Sequence, residues 1–194
     1  MEERGGVTPS RIVMLGDSLT AGFGLRPEQA LPAQLEKELK RLGRPATVIN
    51  AGVSGDTLAD GLRRIDRAVP ARTDLCIVCL GANDMMQMAP VDRIRAELSA
   101  ILDRLAARNI AAMVCGMRAP PWFGAYAVAF DRLFGDVALA KRAALDPFLL
   151  DGVALNPAYA LADRIHPNGK GIEIVARRLA PHVRALLQGM AAQP

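Results

Sequence analysis

A chain of 194 residues with 51% apolar and 23% charged residues has the length of one domain and apolar material enough for a core. That composition excludes a disordered chain, and no run of eighteen apolar residues marks a membrane-spanning helix. The net charge of +4 comes from arginines scattered along the chain, with no run of five or more basic residues, which argues against a nucleic-acid partner and for a solvated basic surface.

The chain begins Met1-Glu2-Glu3-Arg4-Gly5-Gly6, acidic and without a hydrophobic stretch, so residues 1–10 read as a flexible extension rather than a secretory signal. The expected location is the cytoplasm, or the periplasm or outside if a signal has been removed. Arg11 to Leu15 is a short apolar strand ending at Gly16, and Leu31, Leu35, Leu39 and Leu42 follow at helical spacing. Thr47 to Asn50 reads as the second strand and Leu58 to Ala68 as the helix after it. Leu75 to Leu80 is near-continuously apolar, as a strand buried on both faces should be. Ile94, Leu98, Ile101, Leu102 and Leu105 line one helix face. A fourth strand spans Ile110 to Met117 and breaks at Pro120-Pro121. A helix is then expected from Ala125 to Ala144, a fifth strand around Leu145 to Leu150, and a closing helix from about Lys170 to Leu187. Alternating strands and helices predict a single-domain, three-layer α/β/α fold around a parallel five-stranded sheet.

The cysteines number three. Cys76 and Cys79 lie on one strand, where a three-residue offset separates them by about 10 Å, beyond disulfide reach. Buried core thiols are expected.

Ligands of such sheets bind at the carboxyl ends of the strands. Those ends carry Gly16-Asp17-Ser18-Leu19, Asn50-Ala51-Gly52, Gly81-Ala82-Asn83-Asp84 and, last, Asp163-Arg164-Ile165-His166-Pro167. Of four serines, Ser99 lies in a helix, Ser10 precedes the first strand and Ser54 lacks a strand-to-helix turn. Ser18 sits just past a strand end beside Gly16, either as a nucleophile or as a helix cap. Of two histidines, His182 falls within the closing helix, whereas His166 sits in a loop whose backbone Pro167 holds extended. An imidazole there can accept the Ser18 proton, and Asp163 can orient its other nitrogen. The Ser18 and Gly52 amides and the Asn83 side chain are the candidate oxyanion donors, although Gly81 to Asp84 is also good turn material.

Thr20 stands where a Gly-x-Ser-x-Gly elbow needs glycine, and no phosphate loop is present. The sparse histidines suggest no metal site, and no cofactor is implied. Met85, Met86 and Met88 after Asn83, and Trp122, Phe123 and Tyr126 on the opposite loop, either form an acyl pocket or pack beneath the loops.

Together these four blocks resemble those of the SGNH (GDSL) hydrolases, in order and over almost the whole chain. Within that superfamily, Gly16 to Gly22 and Asn50 to Thr57 look like the bacterial thioesterase I, lysophospholipase L1 and arylesterase group. The resemblance implies a flavodoxin-like fold and cofactor-free hydrolysis of a small-molecule ester through an acyl-enzyme. In that reading Ser18, Asp163 and His166 are catalytic, and Ser18, Gly52 and Asn83 form the oxyanion hole. Asp17 and Asp84 read as carboxylates that brace their loops. Arg164 stands where the family often carries Gly, and Pro121-Trp122-Phe123-Gly124 replaces a stretch that often reads Pro-Asn-aromatic-Gly. The rival expectations are a carbohydrate O-deacetylase on the same fold and a binding protein without activity.

Overall fold

The computed structural model describes residues 9–191. Five parallel strands, β1 (Ser10–Gly16), β2 (Ala46–Gly52), β3 (Leu75–Cys79), β4 (Ala111–Cys115) and β5 (Ala144–Asp146), form one sheet in the order β2-β1-β3-β4-β5. The helices are α1 (Ser18–Ala21), α2 (Leu31–Arg41), α3 (Leu58–Ala68), α4 (Ala82–Met86), α5 (Val91–Ala106), α6 (Ala125–Ala140) and α7 (Gly169–Ala191). The result is the expected single-domain three-layer α/β/α architecture: α2 packs on α7, while α3, α5 and α6 form a second layer.

The sheet order explains the strand sequences. β3 lies at the centre with a helix layer on each face, and its residues Leu-Cys-Ile-Val-Cys are all buried. β2 is an edge strand and alternates in burial. Its open side is partly closed by the Glu36 carboxylate of α2, which accepts the Val48 N–H at 2.8 Å and so blunts the edge against further pairing. Between the sheet and α6, Phe130 and Phe134 meet edge to face, with centroids 5.2 Å apart, and both are buried. Cys76, Cys79 and Cys115 are free and buried, and burial pushes the Cys76 thiol up to about 12.

Several boundaries differ from those the sequence suggests. Residues 1–8 of the expected extension lie outside the described residues, but Ser10 already belongs to β1, paired in register with Ala46. The helix expected to Ala144 stops at Ala140, where the chain turns through Arg142 at a φ of +55°. The fifth strand is three residues long and occupies Ala144–Asp146 rather than Leu145 to Leu150. It is held from outside the strand: Arg178 of α7 pairs with the fully buried Asp146 and donates to the carbonyls of Phe148 and Leu149 at 3.0 and 2.8 Å. His182 is exposed on α7.

Candidate active site

The strand order reverses between β1 and β3, and in α/β sheets the crevice beyond that point is where ligands bind. The loops after β1 and β3 flank it. Gly16 ends β1 in a place too tight for any side chain, since an added Cβ would sit 2.0 Å from Thr20 Oγ1 and 2.9 Å from the Cys79 carbonyl. The chain then turns directly into the single turn α1. Asp17, not Ser18, caps that turn, accepting the Leu19 N–H at 2.9 Å. Ser18 is the first helical residue, and its hydroxyl is left free of capping work.

That hydroxyl lies 2.8 Å from His166 Nε2, and His166 Nδ1 lies 2.7 Å from Asp163 Oδ2. A carboxylate only accepts, so Nδ1 carries the ring proton and Nε2 offers its lone pair to the Ser18 O–H. Asp163 is fixed by its other oxygen, which accepts the backbone N–H groups of Ile165 and His166 at 2.9 and 3.0 Å. Those backbone donors, and then the His166 ring, lower its pKa from 3.8 to about 2. The turn also explains Arg164, whose φ is +61°. That is the left-handed region where glycine is at ease, and the loop keeps its shape with arginine there. The strain of an L side chain is about 1–2 kcal/mol, while glycine adds about 0.5–1 kcal/mol of chain entropy to lose on folding. Arg164→Gly is therefore expected to raise stability by up to about 1 kcal/mol in a urea melt with activity kept. A lower midpoint would show that the arginine side chain itself contributes more than its strain removes.

Residues that the sequence reading did not single out hold this loop. Asn168 Nδ2 donates to the Ala158 and Ala160 carbonyls at 2.9 and 3.2 Å, the Asn168 N–H reaches the Tyr159 carbonyl at 2.8 Å, and Leu161 N–H reaches the His166 carbonyl at 2.8 Å. Phe23 lies over the His166 ring with centroids 4.5 Å apart. With Leu19, Gly22, Leu25, Pro167 and Ile172, it closes a narrow gap beside Ser18 that is too small for a water molecule. Only its position just past the first motif hinted at Phe23.

Asn83 sits on α4 with Nδ2 donating to the Asp56 carbonyl at 2.9 Å and, by a longer bond, to Asp17 Oδ2 at 3.4 Å. Asp17 and Asp84 are buried and brace their surroundings as expected, Asp84 by accepting the Leu58 N–H at 3.0 Å where α3 begins. Burial raises the Asp17 pKa from 3.8 to about 6, so this group favours its protonated form in the fold and lowers stability as pH rises through that interval.

Gly52 takes a different part from the one expected. Val53 N–H donates to Gly16 across the β1–β2 ladder, so the Gly52 N–H, one residue before, points to the open edge. There it donates to Asn50 Oδ1 at 2.9 Å. The missing side chain serves packing, because a Cβ would lie 2.2 Å from Ala21 N and 2.8 Å from the Asp17 carbonyl. Closer to Asn83 along the chain is Gly55. It lies in the turn after β2 at a φ of +89°, next to the Asp56 carbonyl that Asn83 grips, with open space where a Cβ would be.

Of the suggested substrate contacts, Met85, Phe123 and Tyr126 are half-buried against the core, and the Tyr126 hydroxyl donates to the Ala89 carbonyl at 3.1 Å. Met86, Met88 and Trp122 are exposed, Trp122 by 75%. Met86 ends α4, Met88 follows it, and Trp122 lies in the short 3-10 turn Pro121–Phe123.

Residues 14–174 match the model of the GDSL-like Lipase/Acylhydrolase family. The chain is 31% identical over 179 residues to an arylesterase of Vibrio mimicus, covering 89% of this chain and 90% of that one. It is 35% identical over 159 residues to esterase TesA of Pseudomonas aeruginosa, covering 80% and 79%. Among solved structures, TesA superimposes with a TM-score of 0.85 at 31% identity, over 91% of this chain and 99% of that one. The psychrotrophic esterase EstA from Pseudoalteromonas sp., inhibited by monoethylphosphonate, gives 0.86 at 26% identity, over 92% and 99%. With the family motifs lying on the family fold, this chain belongs to the GDSL-like lipase/acylhydrolases and is a hydrolase of the esterase and thioesterase type.

Proposed function

We propose that the protein hydrolyses small carboxylic esters with short-to-medium acyl chains, aryl esters among them, and to a lesser degree thioesters, through an acyl-enzyme on Ser18. The observation that carries this reading is the continuous hydrogen-bonded line from Ser18 Oγ through the His166 ring to Asp163. His166 Nε2 takes the Ser18 proton as Oγ bonds to the ester carbonyl carbon, and Asp163 steadies the resulting imidazolium without taking a proton. The negative oxygen that develops meets the N–H of Ser18, which opens α1 and has no helical partner, the N–H of Gly55 and one N–H of Asn83 Nδ2, which exchanges its long bond to Asp17 Oδ2 for the oxyanion. Collapse expels the alcohol with the proton from His166. Water, activated by the same nitrogen, then attacks the acyl-enzyme and releases the carboxylic acid and the free hydroxyl of Ser18.

Chain length follows from the surroundings. Leu19, Phe23, Leu25 and Ile172 close together beside Ser18 with no room for a water molecule between them, so no deep apolar tunnel leads from that hydroxyl, which favours acyl groups of a few carbons lying on the surface. Initial rates on p-nitrophenyl esters from acetate to palmitate are expected to give a kcat/KM that peaks at short or medium chains. A steady rise toward the longest chain would contradict that preference, and faster hydrolysis of acetylated sugars than of aryl esters would favour a deacetylase.

A further inference from the structure

Behind the turn that carries Gly55 lies a charged pair that the reaction above does not use. Arg64, on the second turn of α3, places Nε 2.5 Å from Asp56 Oδ2 and donates from Nη2 to the Gly16 carbonyl at 2.9 Å. The two side chains are only 12% and 13% exposed. The Gly16 carbonyl closes β1, two residues before Ser18, and also accepts the Val53 N–H at 3.0 Å. The backbone carbonyl of Asp56 in turn holds Asn83 Nδ2 at 2.9 Å. One guanidinium thus ties the end of the nucleophile strand to the turn that carries Gly55 and, through that turn, to Asn83.

Anchoring α3 does not require this pair. The N-terminus of α3 is already secured by the reciprocal bonds of Thr57 and Asp60 and by Asp84 on the Leu58 N–H. Nor is a nearly buried ion pair a strong source of stability, since desolvation of both charges offsets much of their attraction. What arginine offers here is geometry: a rigid planar fork that addresses a carboxylate and a carbonyl at once, which the single ammonium of a lysine cannot copy.

We propose that Arg64, with Asp56 as its counter-ion, is a positioning residue that sets the spacing between the Ser18 hydroxyl and the oxyanion donors at Gly55 and Asn83. The proposal rests on the Ser18 reading. Because that spacing matters only once the tetrahedral oxyanion forms, its loss should appear in kcat and in the binding of tetrahedral anions, and hardly in KM.

The test compares wild type, Arg64→Lys and Arg64→Ala in kcat and KM on a short p-nitrophenyl ester, in inhibition by phenylboronic acid, which binds serine hydrolases as a tetrahedral anion, and in urea stability. For Arg64→Lys, kcat is expected to fall about 10- to 100-fold with KM within roughly threefold of wild type. Boronate affinity is expected to weaken by the same factor, and Arg64→Ala to lose at least as much. If the alanine variant does not fold, the lysine variant decides. A folded Arg64→Lys with kcat within about twofold of wild type overturns the proposal. So does a fall in kcat with boronate affinity unchanged, or a lysine variant that cannot fold, which would make the pair a staple of the fold. An inactive wild type would instead remove the Ser18 reading itself.

Discussion

Ser18→Ala is expected to lower kcat on p-nitrophenyl esters by about 10⁶-fold, leaving the residual rate that binding and oxyanion donors support alone. That factor corresponds to about 8 kcal/mol of transition-state stabilisation. The fold should be untouched. The Ser18 hydroxyl bonds His166 and nothing that shapes the backbone, because the helix cap is Asp17. Stability should therefore stay within about 0.5 kcal/mol of wild type, as for other substitutions that break no packing. Gly16→Ala is the instructive contrast: it also removes activity, but through a Cβ driven into Thr20 and the Cys79 carbonyl, so its urea midpoint falls as well. Measuring rate and stability on both variants separates lost chemistry from lost structure. Substantial activity in a folded Ser18→Ala would place the nucleophile elsewhere.

Asp163→Asn should cost about 10⁴-fold in kcat, by a route the loop geometry makes specific. Asp163 Oδ1 is held by the N–H groups of Ile165 and His166. An asparagine must keep its carbonyl oxygen against those donors, so its NH₂ faces His166 Nδ1. Two donors cannot face each other, and the ring proton is forced onto Nε2, where the imidazole can no longer accept from Ser18. A variant that keeps its fold and its KM but loses kcat by that factor fits this tautomer argument; a loss below about tenfold contradicts it. Asp163 also carries an acid dependence. Its pKa is lowered to about 2, so its contribution to stability is complete above 3.8 and is lost as pH falls from there toward 2.

How much of this was legible in the sequence divides along physical lines. β3 was readable because a strand buried on both faces is apolar throughout, and α2, α3 and α5 because their apolar residues recur at helical spacing. Ser18, Asn83, Asp163 and His166 stood out because strand ends converge on one edge of a parallel sheet. The helices α1 and α4 have four and five residues, too few to show a period. β5 lies ahead of its apolar letters because Ala144–Asp146 pair with Met113–Cys115 of β4 and Arg178 holds Asp146 from 32 residues away, contacts that no local pattern carries. Gly52 and Gly55 look alike as letters. Only the pairing of β2 with β1 turns the first amide to the open edge, leaving the second in the turn beside Asn83. Arg64 reads as one more arginine on a helix until the fold brings it to Gly16 and Asp56.

The central claim, that Ser18 is the nucleophile, is tested most directly by incubating the protein with a fluorophosphonate and mapping the adduct by mass spectrometry while following esterase activity. The account predicts one adduct per chain, on Ser18, accumulating at the rate at which activity disappears and absent from Ser18→Ala. An adduct on another residue, or activity lost without any adduct on Ser18, would contradict it.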